Sequence, residues 1–596
     1  MSKPSPAPSP SRRQFLAACS TVGISTTLVP GVLWARMQDQ GAARITDQML
    51  KDALAVSGLD FPDDEREQML EGLNRNLDSY DALRKITIDD QVAPPLYYSP
   101  LVPGTTLDRT ARPFRPGQPP AVTRPADLED VAFWPLTHLA ELLRTRQVTS
   151  AELTRMYLGR LERLNPTLNC VVTLTTDLAM RQAADADREI AAGRYKGPLH
   201  GIPWGCKDII AVPGYRTTWG SGAYEDQVID GEATVVRLLR EAGAVLVAKL
   251  ATGELAAGDR WFGGRTNNPW NPEYGSSGSS AGPASATAGG CVAFGIGSET
   301  SGSILSPSTV CGCTGLRPTF GRVSRHGAMT LSWSLDRLGP ICRTAEDCAV
   351  VFRALAVPDP LDLSVMDLPF NYDASMDVRQ LKVGYLAAAF DEPNRDADWK
   401  ANDTRALDTL RGLGVNLVPF ELPDMPLDAI GGVLGVESGA SFDQALRGGR
   451  LARMTNKGRA NGMRSAHLVP AVDYLQAQRV RMMVMERFAA AVGGFDVYLA
   501  PFMETRGSRE PAPGTRPPAR PAGPPPQRPP SVLRDHFQVA NTCGYPAVAV
   551  PSGFTTAGLP TSITFLGRLY NEGAILALAR AYQAKAGWPS RTPTLG

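Results

Sequence analysis

The sequence predicts an α/β fold in which a central, largely parallel or mixed β-sheet is covered by helices on both faces. Three observations predict it. Apolar residues recur with helical period over 150–164 and 233–242, and short apolar runs of strand length, 244–250 and 381–385, alternate with such stretches. Hydrophobic residues make up 43% of the 596, ample for a large core.

Four segments follow one another. Residues 1–36 contain Ser11-Arg12-Arg13-Gln14-Phe15-Leu16, which resembles a twin-arginine signal, and an uncharged run over 15–35. Such a signal implies export of an already folded protein to the periplasm or beyond; an uncleaved membrane anchor is the alternative reading. Leu16-Ala17-Ala18-Cys19 mimics a lipoprotein cleavage box, but five residues between Arg13 and Cys19 are too few for the apolar region that lipidation needs. No later apolar run is long enough to span a bilayer, so no stable membrane insertion is expected after processing.

Residues 37–92 read as a helical extension. Pro62 before Asp63, Asp64 and Glu65 is a helix start, Leu70, Leu73, Leu77, Tyr80 and Leu83 then share one face, and 45–54 predicts an earlier helix. Residues 93–123 form a Pro-rich linker. The rest, 124–596, reads as one catalytic block, interrupted at 506–530 by a Pro/Arg-rich stretch whose prolines exclude it from a central sheet and make it a surface loop.

The chemistry concentrates in residues 278–304, GSSAGPASATAGGCVAFGIGSETSGSI, where two Ser/Gly turns flank a small-residue apolar segment. Attack on an amide needs a hydroxyl, a route for its proton, and backbone N–H groups aimed at the developing oxyanion. The two turns and the upstream Lys207 supply all three without a histidine. The five histidines, His138, His200, His326, His467 and His536, are unpaired at helical spacing and distant in sequence from the Ser-rich run, and His200 reads as structural. Cys311 and Cys313 lack a second ligand pair and read as structural thiols that stand too close on a strand for an easy disulfide. No metal and no cofactor is expected. With 61 basic against 60 acidic residues, the charge favours neither nucleic acid nor an anionic membrane.

Two other readings of the glycines fail. Gly278-Ser279-Ser280-Ala281-Gly282 matches the G-x-S-x-G elbow, with Ser280 as nucleophile, but that motif follows a buried strand and here Asn267-Asn268-Pro269-Trp270-Asn271-Pro272 is turn chemistry. No phosphate-cradling loop occurs.

The segments LHGIPWGCKDII, NPWNPEYGSSGSSAGPASA, GSETSGSILSPSTVCGCTGLRPTFGRVS and SLDRLGPICRTAEDC occur in the order and spacing of the amidase signature family, and NTCGYPAVAVPSGFTTAGLP resembles its closing segment. The resemblance covers roughly three quarters of the chain, about 136–588. It implies the amidase-signature fold, a single large domain with the small-residue helix around Ala284, Ser285, Ala286 and Ala288 packed at its core.

It also implies roles. Lys207 is the base, Ser279 the bridging serine and Ser303 the nucleophile of a seryl acyl-enzyme, and the backbone around Thr300, Ser301 and Gly302 forms the oxyanion hole. Counting from NPWN, and 24 positions back from Ser303, both select Ser279 over Ser276 and Ser277, which then read as turn residues. In the family the bridging serine follows a non-proline cis peptide, here Gly278–Ser279. A lysine with its ordinary pKa of about 10.4 is protonated at neutral pH, so the pocket must desolvate it; lowering the pKa by about three corresponds to roughly 4 kcal/mol. The apolar run around Lys207 suits such a strand end. The chain departs from the family's D-T-G-G-S-I-R, with Glu299, Ser301 and Leu305 in the Asp, first Gly and Arg places. Loss of that glycine matters if the position needs positive φ.

The expected function is an amide hydrolase that turns a carboxylic amide into acid plus ammonia or amine, of the simple carboxylic-amidase kind. Its partner is a small-molecule amide; no nucleic acid is expected, and a homodimer is left open. Trp261, Phe262, Trp333 and residues 437–481 are expected at the acyl pocket from family-like position. One alternative is the A subunit of a glutamine-dependent amidotransferase, since residues 37–92 loosely resemble the small subunit of such enzymes; helices packed on the catalytic domain read them equally well. A non-catalytic binding protein on the same fold is the other.

Overall fold

The computed structural model describes residues 45–83, 85–87, 92, 96–505, 507–509, 531–588 and 591–595. The export signal expected over 1–36, and nearly all of the Pro-rich loop expected over 506–530, lie outside them. The chain divides into two compact units, Met1–Asp89 with Leu468–Pro470, and the remainder.

The first unit contains helices Asp47–Ser57 and Asp63–Leu83. Thr46 caps the first through its side chain, which accepts the Met49 N–H, and Gly58 ends it in the left-handed conformation. Acidic Asp63, Asp64 and Glu65 fill the first turn of the second, where the helix dipole favours them. Arg66 of the second helix bonds Asp47 of the first at 3.0 Å, and Asn74 accepts the Ile45 N–H at 2.9 Å.

The second unit is built on an eleven-stranded mixed sheet. Its strands are β1 (Val171–Leu174), β2 (Pro203–Lys207), β3 (Val245–Leu250), β4 (Phe294–Glu299), β5 (Thr314–Arg317), β6 (Arg337–Cys342), β7 (Val383–Leu386), β8 (Leu417–Phe420), β9 (Val497–Pro501), β10 (Ala547–Phe554) and β11 (Pro560–Gly567). Their order across the sheet is β1-β3-β2-β4-β6-β5-β10-β11-β9-β7-β8. The pairs β3–β2, β2–β4, β9–β7 and β7–β8 are parallel and the rest antiparallel. Helices flank it, as in Ser150–Leu168, where Thr149 and Glu152 form a reciprocal capping box.

The parallel trio β3-β2-β4 positions the chemistry. These strands end at Leu250, Lys207 and Glu299, so three loops leave one edge of the sheet together, the usual place for a site in such sheets. Every residue of the three is buried. The helix Ala281–Ala288 lies against them, wholly buried and made of small residues: a Cβ on Gly282 would stand 2.4 Å from the Ala251 nitrogen. Arg343 fastens this region by donating to the carbonyls of Ala132, Thr287, Val292 and Ala293.

Two local expectations are corrected. Asn267–Asn268 and Asn271–Gly275 pair as a short antiparallel hairpin around Pro269-Trp270, so the turn chemistry has strand on either side. Cys311 ends the helix Leu305–Cys311 and Gly312 turns the chain in the left-handed conformation, so Cys311 and Cys313 do not share a strand. All eight described cysteines are buried and unpaired.

Candidate active site

Lys207 is the last residue of β2 and is fully buried. Its Nζ stands 2.7 Å from Ser279 Oγ, 2.8 Å from Ser298 Oγ and 3.2 Å from Ser280 Oγ. Burial drives its pKa down from 10.5 to about 7, against the pull of Asp336 and then Glu299, whose negative charges favour the ammonium. An amine so placed is available as a base near neutrality.

The Gly278–Ser279 peptide is cis. Ser280 Oγ donates to the Ser298 carbonyl at 3.0 Å and accepts the Ser298 N–H at 3.1 Å, so its hydroxyl is committed to the sheet. The Ser280 N–H in turn donates to the Ser303 carbonyl at 3.1 Å, setting the two serine turns side by side. Ser276 donates to its neighbour's carbonyl, and Ser277 sits at φ +58° in the turn; neither contacts Lys207. Among the described residues, no hydrogen bond joins a histidine to this cluster. His536 is buried against Tyr498, 3.2 Å away, which pushes its pKa down to about 3, and His200 stands 3.0 Å from Glu189.

The loop Thr300-Ser301-Gly302-Ser303 is held from several sides. Thr300 Oγ1 donates to Asp336 at 2.6 Å, and the Thr300 carbonyl accepts from the Asn541 side chain. Asp336 also accepts the N–H groups of Leu331 and Ser332 at 2.7 and 2.9 Å. Glu299 accepts the Ile304 and Leu305 N–H groups at 2.8 and 3.0 Å and pairs with buried Arg317 at 3.0 Å. The longer acid in the aspartate place therefore caps the turn that follows the candidate nucleophile, while Leu305 joins an apolar cluster. Gly302 has φ +84°, and Ser301, which is exposed, lies outside the left-handed region. The lost glycine is thus not the one whose conformation needs glycine.

A cavity of about 600 Å³ opens beside Ser301. Leu335, Ile430, Val433, Leu434, Met503, Leu533 and Phe537 give it an apolar wall, Asn541 and Gln538 add polar atoms, and Glu392, Arg395, Glu504 and Arg534 bring charge to its lining. Trp261, Phe262 and Trp333, expected at an acyl pocket, do not line it. Trp261 packs edge-on against Phe262, and the Trp333 carbonyl accepts from Arg325. Nor does any residue of 437–481 line it; Glu437 and Arg481 buttress it from behind. Glu437 accepts from the Ser332 and Ser334 hydroxyls, and Arg481 donates to the carbonyls of Ser334 and Thr542. Ser298, Asp336 and Asn541 carry no signal of their own in the sequence, although Ser298 and Asp336 lie inside the family motifs and Asn541 opens the family-like closing segment.

The family model described as Amidase matches residues 152–576. The chain belongs to the amidase family. The glutamyl-tRNA(Gln) amidotransferase A subunit of Geobacter metallireducens is 35% identical over 481 residues, covering 76% of this chain and 96% of that one. The protein of the same name from Methylococcus capsulatus is 35% identical over 490 residues, covering 77% and 98%. The structure of native peptide amidase from Stenotrophomonas maltophilia matches with a TM-score of 0.67 at 27% identity, covering 78% of this chain and 99% of that one. The amidase-family fold seen here, a mixed sheet flanked by helices, is accordingly that of an enzyme acting on C–N amide bonds.

Proposed function

We propose that this amidase-family enzyme is an exported hydrolase of a small carboxylic amide, with Ser303 as nucleophile, Ser279 as proton bridge and Lys207 as base. The carrying observation is the 2.7 Å contact between Ser279 Oγ and a fully buried Lys207 whose pKa is near 7. Neutral Lys207 takes the Ser279 proton while Ser279 takes that of Ser303, and Ser303 Oγ bonds to the amide carbon. The N–H groups of the Thr300–Ser303 turn receive the oxyanion. On collapse the C–N bond breaks, and the proton returns from Lys207 through Ser279 to the departing nitrogen. Water then attacks the acyl-enzyme by the same route, releasing the acid. The mixed lining of the cavity, apolar at Phe537 and Leu335 and charged at Glu392, Arg395, Glu504 and Arg534, supports a substrate with an apolar body that also carries polar groups. Export through the twin-arginine pathway rests on Arg12-Arg13 and the uncharged run that follows.

A second reading, the glutamine-hydrolysing A subunit of an amidotransferase, is favoured by 35% identity across nearly the whole of relatives bearing that name. One experiment separates the two: ammonia or amine release from a panel of aliphatic, aryl, peptide and amino-acid amides including glutamine, with Ser303→Ala as control. Turnover of several amides by the chain alone, lost in Ser303→Ala, supports the hydrolase; turnover of glutamine only, requiring added partner proteins, supports the second reading. Activity surviving in Ser303→Ala excludes the seryl mechanism.

A further inference from the structure

We infer that Glu254 and Arg459 are positioning residues for the Lys207–Ser279 pair, acting through a strained loop that joins base and bridging serine in a closed ring of hydrogen bonds. This rests on the relay proposed above. Starting from the base, the carbonyl of the adjoining Asp208 accepts the Trp219 N–H at 3.1 Å, and the Trp219 carbonyl accepts the Leu255 N–H at 2.9 Å. Two residues earlier, the Gly253 N–H donates to the Ser279 carbonyl at 3.2 Å. Ser279 Oγ, 2.7 Å from Lys207 Nζ, closes the ring.

Neither the loop nor the Trp219 link beside it is at rest in this shape. Trp219, Leu255 and Ala256 have φ of +52°, +47° and +60°, a region that residues with a Cβ seldom enter and keep only where their surroundings impose it. Glu254 is one source of that constraint. Its buried carboxylate accepts the Ser221 hydroxyl at 2.8 Å, the Thr455 hydroxyl at 2.8 Å, and the N–H groups of Thr455 and Asn456 at 3.2 and 2.7 Å. Thr455 and Asn456 lead into the helix Lys457–Ala466, whose N-terminal dipole favours a carboxylate there. From the first turn of that helix, Arg459 donates to the Leu255 carbonyl at 2.7 Å. On its other side the loop bears on the cis peptide itself: a Cβ on Gly278 would stand 1.8 Å from the Gly258 carbonyl oxygen. The loop is therefore clamped between a helix and the bridging serine. Releasing the helix side lets the three left-handed residues relax and carries the Gly253 N–H, with Ser279, away from Lys207.

The test uses the full chain and the most rapidly cleaved amide of the panel. Glu254→Gln keeps the size of the side chain but loses the charge and half of its acceptor capacity. The expected result is a folded protein, judged by circular dichroism and melting, whose kcat falls by about 10- to 100-fold while KM stays within about twofold, since displacing a reacting group by an ångström costs on that scale. Glu254→Asp restores part of the loss. Thr455→Val removes one bond to the same carboxylate and lowers kcat by a smaller factor, again without moving KM; it carries the test if Glu254→Gln does not fold. Full kcat in folded Glu254→Gln, or in Thr455→Val where Glu254→Gln does not fold, overturns the inference, as does a parallel change of kcat and KM. Should Lys207→Ala or Ser303→Ala keep normal turnover, the relay itself fails; should both be inactive while Glu254→Gln is fully active, only the positioning role falls.

Discussion

Among single residues, Lys207 combines full burial with three hydroxyl neighbours, and both bear on measurable pH dependence. The proposed relay requires its neutral form, so kcat/KM is expected to rise with pH through an apparent pKa near 7 and to level off above it; a profile whose acid limb lies near 10 excludes Lys207 as the base. The same displacement acts on stability. Between about pH 7 and 10.5 the unfolded chain binds this proton and the folded chain does not, so the contribution of Lys207 to stability rises with pH across that window, and below it the full penalty, of order 5 kcal/mol at most, is present. Lys207→Met accordingly melts higher than the parent at pH 7 and loses that advantage toward pH 10.5, which scanning calorimetry at the two pH values measures. At this scale the sequence was informative where residue type carries the chemistry. Lys207 and the Ser/Gly turns offer an amine and hydroxyls, the family resemblance assigns their roles, and the structure brings Lys207 and Ser279 into contact. Ser298 and Asp336 were silent because a serine on a buried strand and an aspartate before one acquire meaning only from what stands opposite.

Among elements, the turn after β4 decides most. Gly302 needs its freedom twice over, for its φ of +84° and because a Cβ there would stand 2.4 Å from Phe537 Cζ. Gly302→Ala is expected to cost about 1–3 kcal/mol in stability and a larger share of kcat, since both the turn and the cavity wall must shift. Ser301→Gly, which restores the family residue, should change kcat by less than about threefold, because Ser301 is not held in the left-handed region; kinetics and melting of the two variants check both statements. The sequence raised the right question about this turn and could not answer it, for φ is set by neighbours far along the chain. Trp261, Phe262 and Trp333, expected at an acyl pocket from family-like position, do not line the cavity beside Ser301, where Leu335, Ile430, Val433 and Phe537 come together from distant segments.

For the whole molecule, the alternation of helix and strand patterns sufficed for the fold class, because burial on both faces leaves largely apolar strands such as β9. Strand order was not legible, since a mixed sheet with four parallel pairs depends on connections that no local pattern encodes. Burial of all eight described cysteines has a global readout: in the native state they resist a thiol reagent, and on unfolding in guanidinium all of them react. Rapid modification of several thiols in the folded protein would contradict the packing described. The parallel trio β3-β2-β4 brings together residues scattered from Lys207 to Ser303, and the turn they share is then secured by Asn541, far toward the C-terminus. Synthesis runs from the other end. A chain still on the ribosome has made Lys207, Ser279 and Ser303 long before it has made the residue that fixes their turn, so under the proposed mechanism it is expected to stay catalytically silent until the segment around Asn541 has emerged and folded.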